Sequence, residues 1–245
     1  MPRQISRKIS LLALAAIAFT AFTAPTHANV VIDSFDVNQS ITAPPTTFGF
    51  VDGPTSSIIG GQRDATVSRS GGATSVQFES NLNIPGALLF STNFSASGIA
   101  VIQYDGADNS SAFNPTGLGG IDVTQSGVNK GVSITGGADL PGATILFELF
   151  TNATQFSSFL FATPVDGSGL TTSFIPFTSF TGTADPTNLG ALRVTLTNPT
   201  NADVALQLTA FTPPLAIVPE PSALGLVVTA GLSGLFFTRR RRRAG

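Results

Sequence analysis

The amino-acid sequence predicts an all-β protein folded as a β-sandwich or barrel. Short apolar runs recur through the central part of the chain, and Gly, Pro, Asn, Asp and Ser separate them. Many runs alternate with a period of two, as in 204–211, where Val204, Leu206 and Leu208 share one face. Such alternation between frequent turn residues is typical of strands with one buried face. No window of the central part shows a convincing helical period.

The predicted strands follow these runs in chain order. Thr, Val, Ile and Phe dominate them, which suits the half-buried surface of a pleated sheet. Residues 29–217 contain 16 Phe and no Trp, so phenylalanine must supply much of the core volume. The predicted strands are 30–35, 65–69, 75–79, 87–91, 99–104, 121–125, 132–135, 144–151, 156–162, 172–176, 191–197 and 204–211.

The N-terminus has the parts of a secretory signal peptide. A basic segment (1–8) precedes an apolar stretch (9–22), and small residues follow. We predict that signal peptidase removes residues 1–28 by cleavage after Ala28; cleavage after Ala24 would leave a proline just past the cut. The alternative is a retained membrane anchor, but the apolar stretch is shorter than the roughly 20 residues that span a bilayer.

The C-terminal part predicts a single transmembrane sorting helix. Pro219, Glu220 and Pro221 precede an uncharged apolar run (222–238). As a helix this run would rise about 25 Å, nearly the thickness of a bilayer core. A basic cluster follows and is expected to stay in the cytoplasm. The cluster is Arg239, Arg240, Arg241, Arg242 and Arg243.

This order of signature, helix and arginine tail resembles the PEP-CTERM sorting segment of exported bacterial proteins. The resemblance implies recognition by an exosortase-like membrane peptidase. Cleavage near the signature would release the body to the cell surface or the extracellular matrix. The alternative is a plain membrane anchor, which has the same topology but is not removed.

The chain therefore divides into segments of very different charge: a signal peptide (1–28), a body (29–211), a linker (212–217) and a sorting segment (218–245). Residues 29–217 carry 13 acidic and four basic residues, a net charge of −9. So few cations exclude a phosphate-neutralising mode of nucleic-acid binding. The single histidine, His27, lies in the signal peptide and the chain has no Cys, so the usual general base and the soft metal ligands are missing from the body.

Six short motifs along the body suggest a more specific fold. They are Ile-Asp-Ser-Phe (32–35), Ile-Gly-Gly-Gln-Arg-Asp (59–64), Tyr-Asp-Gly (104–106), Gly-Gly-Ile-Asp-Val-Thr (119–124), Pro-Phe-Thr-Ser-Phe (176–180) and Asn-Leu-Gly-Ala-Leu (188–192). Their order resembles that of galactose-binding-like jelly rolls of the carbohydrate-binding-module type. The resemblance implies a single jelly-roll-like β-sandwich and makes glycan binding an expectation.

The segment 104–109 contains the densest group of oxygen ligands. Asp105, Asp108 and Asn109 are candidate ligands for Ca²⁺ together with backbone carbonyls. The alternative is a turn in which Asp and Asn bond their own backbone. Tyr104, the only aromatic residue with a polar group, is the candidate glycan contact, and its alternative is packing at a strand end.

Two other pairs of residues are candidate chemical sites. Glu79 and Glu148, the only glutamates of the body, would be the acid and base of a glycosidase if they faced each other; the alternative is that each faces solvent. Arg63 and Asp64 are a candidate local ion pair at the start of a strand.

From these observations we expect a non-enzymatic surface or matrix protein, without a cofactor other than a structural Ca²⁺. Its expected partners are signal peptidase, the exosortase-like peptidase, the membrane before processing, and exopolysaccharide of a biofilm. The alternatives are a secreted carbohydrate-active enzyme that uses carboxylates and a purely structural matrix protein without a ligand.

Overall fold

The computed structural model describes residues 29–165 and 170–214, and here the chain forms two antiparallel, seven-stranded sheets. The predicted signal peptide and sorting segment lie outside these residues. Sheet A has the order β11 (Thr171–Pro176), β8 (Gly131–Ala138), β14 (Asp203–Thr212), β6 (Leu88–Thr92), β5 (Val76–Ser80) and β2 (Gln39–Ala43), and β1 (Val30–Asp33) also pairs with β14. Sheet B has the order β12 (Thr181–Gly182), β10 (Phe156–Ala162), β9 (Thr144–Phe150), β13 (Ala191–Asn198), β7 (Ser97–Tyr104), β4 (Gln62–Gly71) and β3 (Thr47–Asp52).

The inner faces of the two sheets share one hydrophobic core, which confirms the predicted all-β sandwich. The alternation seen in the sequence is the reason: on β9, Ile145, Phe147 and Leu149 are buried, while the residues between them face outward. Phenylalanine supplies much of the volume, because Phe78 and Phe90 are among the largest fully buried side chains. Among the described residues, no helix is long and apolar enough to cross a membrane.

A charged network lies inside this core around Arg63. Its guanidinium donates to both carboxylate oxygens of Asp33 at 3.1 and 2.9 Å and to Gln39 Oε1 at 2.9 Å. It also donates to the Val37 carbonyl at 2.9 Å and to Ser80 Oγ. All five N–H groups of the arginine therefore have acceptors.

The predicted ion pair between Arg63 and Asp64 is wrong. Adjacent residues of a strand point to opposite faces, so Arg63 enters the core, where it pairs with Asp33, while Asp64 lies on the outer face of sheet B. The sequence pattern did not show Asp33 as the partner because it lies on a different strand, in the other sheet.

Three further expectations from the sequence differ from the structure. Residues 121–125 are not a strand, because the carboxylate of Asp122 accepts from the backbone N–H groups of Thr124 and Ser126 and closes a turn. Strands β2, β3 and β12 were not predicted. In β2 only Ile41 is a large apolar residue, so its alternation is weak in the sequence. The last strand, β14, ends at Thr212, one residue past the predicted body.

Candidate functional site

The outer face of sheet B carries a row of four polar side chains and one phenylalanine across its centre. Strand pairing places Glu148 (β9), Arg193 (β13), Gln103 (β7), Asp64 (β4) and Phe50 (β3) side by side in that order. We call these residues the central row. Side chains directly opposite on neighbouring strands are in contact distance of one another, so the row is a continuous strip.

At one end of the central row an arginine is fixed among phenylalanine rings. Arg193 makes a two-bond fork to Glu148, with Nε to Oε2 at 2.6 Å and Nη2 to Oε1 at 2.8 Å. Its guanidinium lies 5.0 Å from the Phe113 ring centroid and 5.3 Å from that of Phe150. Phe156 stacks on Phe150 at 5.6 Å and is 46% exposed. We call these five residues the aromatic–arginine cluster.

The Glu148 carboxylate also favours the charged form of Arg193. Its hydrogen bonds raise the pKa of Arg193 above its ordinary value, so the guanidinium is charged at every accessible pH. Charge-assisted, two-bond pairs of this kind are geometrically specific. The cluster therefore presents the partly exposed ring of Phe156 and a cation held in a fixed orientation.

Residues 105–120, which we call the 105–120 loop, follow β7 and cover part of this face. The side chain of Gln62 on β4 holds the loop. Its Oε1 accepts from the backbone N–H of Asp108 at 3.0 Å and of Asn109 at 2.8 Å. Its Nε2 donates to Asn109 Oδ1 at 2.7 Å and to Asp52 Oδ1 at 2.6 Å. The same loop supplies Phe113 to the aromatic–arginine cluster.

Under the loop lies a group of three carboxylates, Asp64, Asp105 and Asp108, which we call the acidic pocket. One oxygen of each lies within 4.8 Å of the other two. Asp64 is 0% exposed and Asp105 is 1% exposed, whereas Asp108 faces solvent. Both oxygens of Asp64 and Oδ1 of Asp105 have no hydrogen-bond partner among the described residues. Asp105 Oδ2 accepts from the backbone N–H of Asn114 at 2.6 Å.

Burial is the main cause of the electrostatic state of this pocket. Burial, together with the smaller effect of the neighbouring carboxylates of Asp105, Asp108 and Asp52, raises the pKa of Asp64 to about 7. Burial also raises the pKa of Asp105. Unpaired buried carboxylates are costly and rare in folded proteins, so the pocket calls for a compensating charge or a shared proton.

The structure brings together only some of the residues predicted as a site. The carboxylates of Asp105 and Asp108 lie close together. Asn109 is the next residue, and its Oδ1 accepts a hydrogen bond from Gln62 Nε2. Tyr104 points the other way: it is 1% exposed, and its hydroxyl donates to Asp33 Oδ2 at 2.8 Å in the core. Sequence reasoning missed Asp64, because only the pairing of β4 with β7 brings it to this loop.

The two glutamates weighed as an acid–base pair lie on opposite sides of the molecule. Glu79 is on the outer face of β5 in sheet A, where it accepts from Gln77 Nε2 at 2.6 Å. Glu148 is on the outer face of β9 in sheet B, paired with Arg193. The roughly 5–10 Å separation that paired-carboxylate hydrolysis requires is therefore not available to them.

No family model and no curated protein matches the sequence. Among solved structures, the chain is similar to the family 11 carbohydrate-binding module of the cellulosomal cellulase Lic26A-Cel5E of Clostridium thermocellum, with TM-score 0.38, 12% identity and coverage of 78% of this chain and 98% of that chain. A family 11 module from the same organism, in complex with a β-1,3-1,4-mixed-linked tetrasaccharide, gives TM-score 0.37 and 11% identity over 76% of this chain and 96% of that chain. Likeness at this level identifies no shared ligand.

Proposed function

We propose that this is an exported, non-enzymatic protein of the cell surface or extracellular matrix that binds polysaccharide on the outer face of sheet B. The aromatic–arginine cluster is the observation that carries the proposal. A sugar ring offers an apolar C–H face and several hydroxyls, so it is recognised by an aromatic surface beside fixed polar groups. Phe156 and Arg193 supply these two kinds of group, and both contact the Phe150 ring.

The rigidity of the cluster supports a binding role. Four of its five members lie on the neighbouring strands β10, β9 and β13, and Glu148 holds the guanidinium with two hydrogen bonds. Groups that are fixed before binding lose little conformational entropy when a ligand arrives. Such a surface suits a non-catalytic module that holds a polymer without changing it.

The charge of the body indicates the class of polysaccharide. Residues 29–217 have a net charge of −9, which disfavours the approach of a strongly acidic polymer at low salt. We therefore propose neutral glycans as the ligands. The positions of Glu79 and Glu148 on the outer faces of different sheets also argue against the alternative of a carboxylate-dependent enzyme, because the two groups cannot act on one bond.

A binding titration tests this function. Purified protein is titrated with a panel of neutral and acidic polysaccharides by affinity electrophoresis and calorimetry. We expect binding to a neutral glycan that Phe156→Ala weakens by about tenfold or more, which corresponds to ~1.4 kcal/mol. The matched control is Phe94→Ala, because Phe94 is 80% exposed and lies outside sheet B, in the turn between β6 and β7.

Two results would contradict the proposal. If no polysaccharide of the panel binds, the protein is a structural matrix protein without a ligand. If Phe94→Ala weakens binding as much as Phe156→Ala, the aromatic–arginine cluster is not the contact surface.

A further inference from the structure

We propose that the acidic pocket is a Ca²⁺ site and that the bound ion fixes the 105–120 loop against the outer face of sheet B. The first half of the proposal stands without the polysaccharide function. Only its consequence for glycan affinity rests on that function.

The unpartnered oxygens are the first argument for an ion. Asp64 is 0% exposed, and both of its oxygens lack a partner among the described residues, as does Oδ1 of Asp105. These oxygens share one pocket with Asp108. A divalent cation at their centre would give each of them a partner and would compensate a concentrated negative charge.

Neither of the two arginines nearest in the sheet, Arg63 and Arg193, takes this role. Arg63 adjoins Asp64 in sequence but lies in the core with Asp33. Arg193 is two strands away in the central row, about 10 Å at the usual strand spacing, and is paired with Glu148. The charged groups that raise the pKa of Asp64 are themselves acidic: Asp105, Asp108 and Asp52.

The ligand chemistry favours Ca²⁺. The pocket offers carboxylate oxygens and no nitrogen or sulfur ligand among its three members, which suits a hard cation. Ca²⁺ binds oxygens at 2.3–2.6 Å, so ligands on opposite sides of the ion lie about 4.6–5.2 Å apart. The three oxygens lie within 4.8 Å of one another, so one ion can reach all of them. Asp108 faces solvent, which leaves a route of entry and room for water ligands.

The ion would join the loop to the sheet. Asp64 belongs to β4, whereas Asp105 and Asp108 belong to the loop. The same loop contributes Phe113, which lies 4.6 Å from the Phe150 ring and below the Arg193 guanidinium. Order in the loop therefore sets the position of one wall of the aromatic–arginine cluster.

Calorimetry on purified protein stripped with a chelator tests the site. We expect CaCl₂ to bind with one-to-one stoichiometry and to raise the melting temperature, and MgCl₂ to bind more weakly. Asp64→Asn and Asp108→Asn should each weaken Ca²⁺ binding by at least tenfold. Asp108 is exposed, so its variant keeps the fold even if the Asp64 variant does not. The matched control is Asp203→Asn, an exposed aspartate of sheet A, which should bind as the wild type does.

The outcomes separate this inference from the proposed function. Absence of both heat and a melting shift with CaCl₂ would overturn the site and leave a proton shared between Asp64 and Asp105 as the explanation of the pocket. Equal loss in Asp203→Asn would overturn it as well. Ca²⁺ binding without any glycan binding supports the site and contradicts only the function. Hydrogen exchange adds a second readout: Ca²⁺ should slow exchange at the amides of Asp108 and Asn114.

Discussion

At the level of single residues, Arg63 of sheet B joins the two sheets through hydrogen bonds to residues of sheet A. Its five N–H groups reach acceptors on Asp33, Val37, Gln39 and Ser80, and the Asp33 carboxylate also accepts from the hydroxyl of Tyr104. A buried ion pair adds little to stability compared with apolar packing, but removal of one partner leaves the other charge uncompensated. The network thus specifies one arrangement of the strands that contribute to it.

This network predicts a large effect of one substitution. Arg63→Met should lower the free energy of unfolding by about 3–5 kcal/mol, because Asp33 would remain buried without its cation. Chemical denaturation measures the change. Arg69→Met, on the same strand, removes a partly exposed arginine that contacts the Thr74 carbonyl and should cost no more than about 0.5 kcal/mol. Similar small losses in the two variants would show that the core tolerates the unpaired carboxylate.

At the level of elements, local side-chain hydrogen bonds explain where the sequence pattern misled. Residues 121–125 have the composition of a strand, yet the side chain of Asp122 closes a turn there. The opposite error occurs at β2, where the strand depends on pairing with β5 and on buried Gln39 rather than on a run of apolar residues. Periodicity records burial on one face, so strands with polar inner residues escape it.

The 105–120 loop is a second element, and the strength of its attachment to sheet B can be tested. Gln62→Ala removes the acceptor for the amides of Asp108 and Asn109. We expect faster hydrogen exchange at these two amides and a loss of about 1–3 kcal/mol in unfolding free energy. Gln77→Ala, which removes a glutamine on the outer face of sheet A, serves as the comparison. Unchanged exchange in the loop would mean that Gln62 does not hold it.

At the scale of the whole molecule, the sequence predicted the class of fold but only part of the site. Two sheets with one shared core follow from period-two alternation along the chain. The acidic pocket required more: Asp64 meets Asp105 and Asp108 only because β4 pairs with β7 in one register. Likewise, Arg193 joins Glu148 through the pairing of β13 with β9. Contacts across strands depend on register, which the composition of single strands does not fix.

The proposed export route makes a prediction for the mature chain. Of the 12 basic residues, eight lie outside residues 29–217, so processing at both ends would leave a strongly anionic protein. Intact mass measurement on protein from cells and medium should give an N-terminus at Asn29 and a C-terminus near Pro221. A mass that includes Gly245 would instead support a retained membrane anchor.

The central claim is that the outer face of sheet B binds polysaccharide, and the most direct test is to map the contact on the protein. Amide chemical shifts of the isotope-labelled protein are recorded while a bound neutral glycan is titrated. We predict that shifts concentrate at Phe156 on β10, at Arg193 on β13 and in the 105–120 loop. Shifts that centre on β5 and β6 of sheet A, or no shifts at saturating glycan, would contradict the claim.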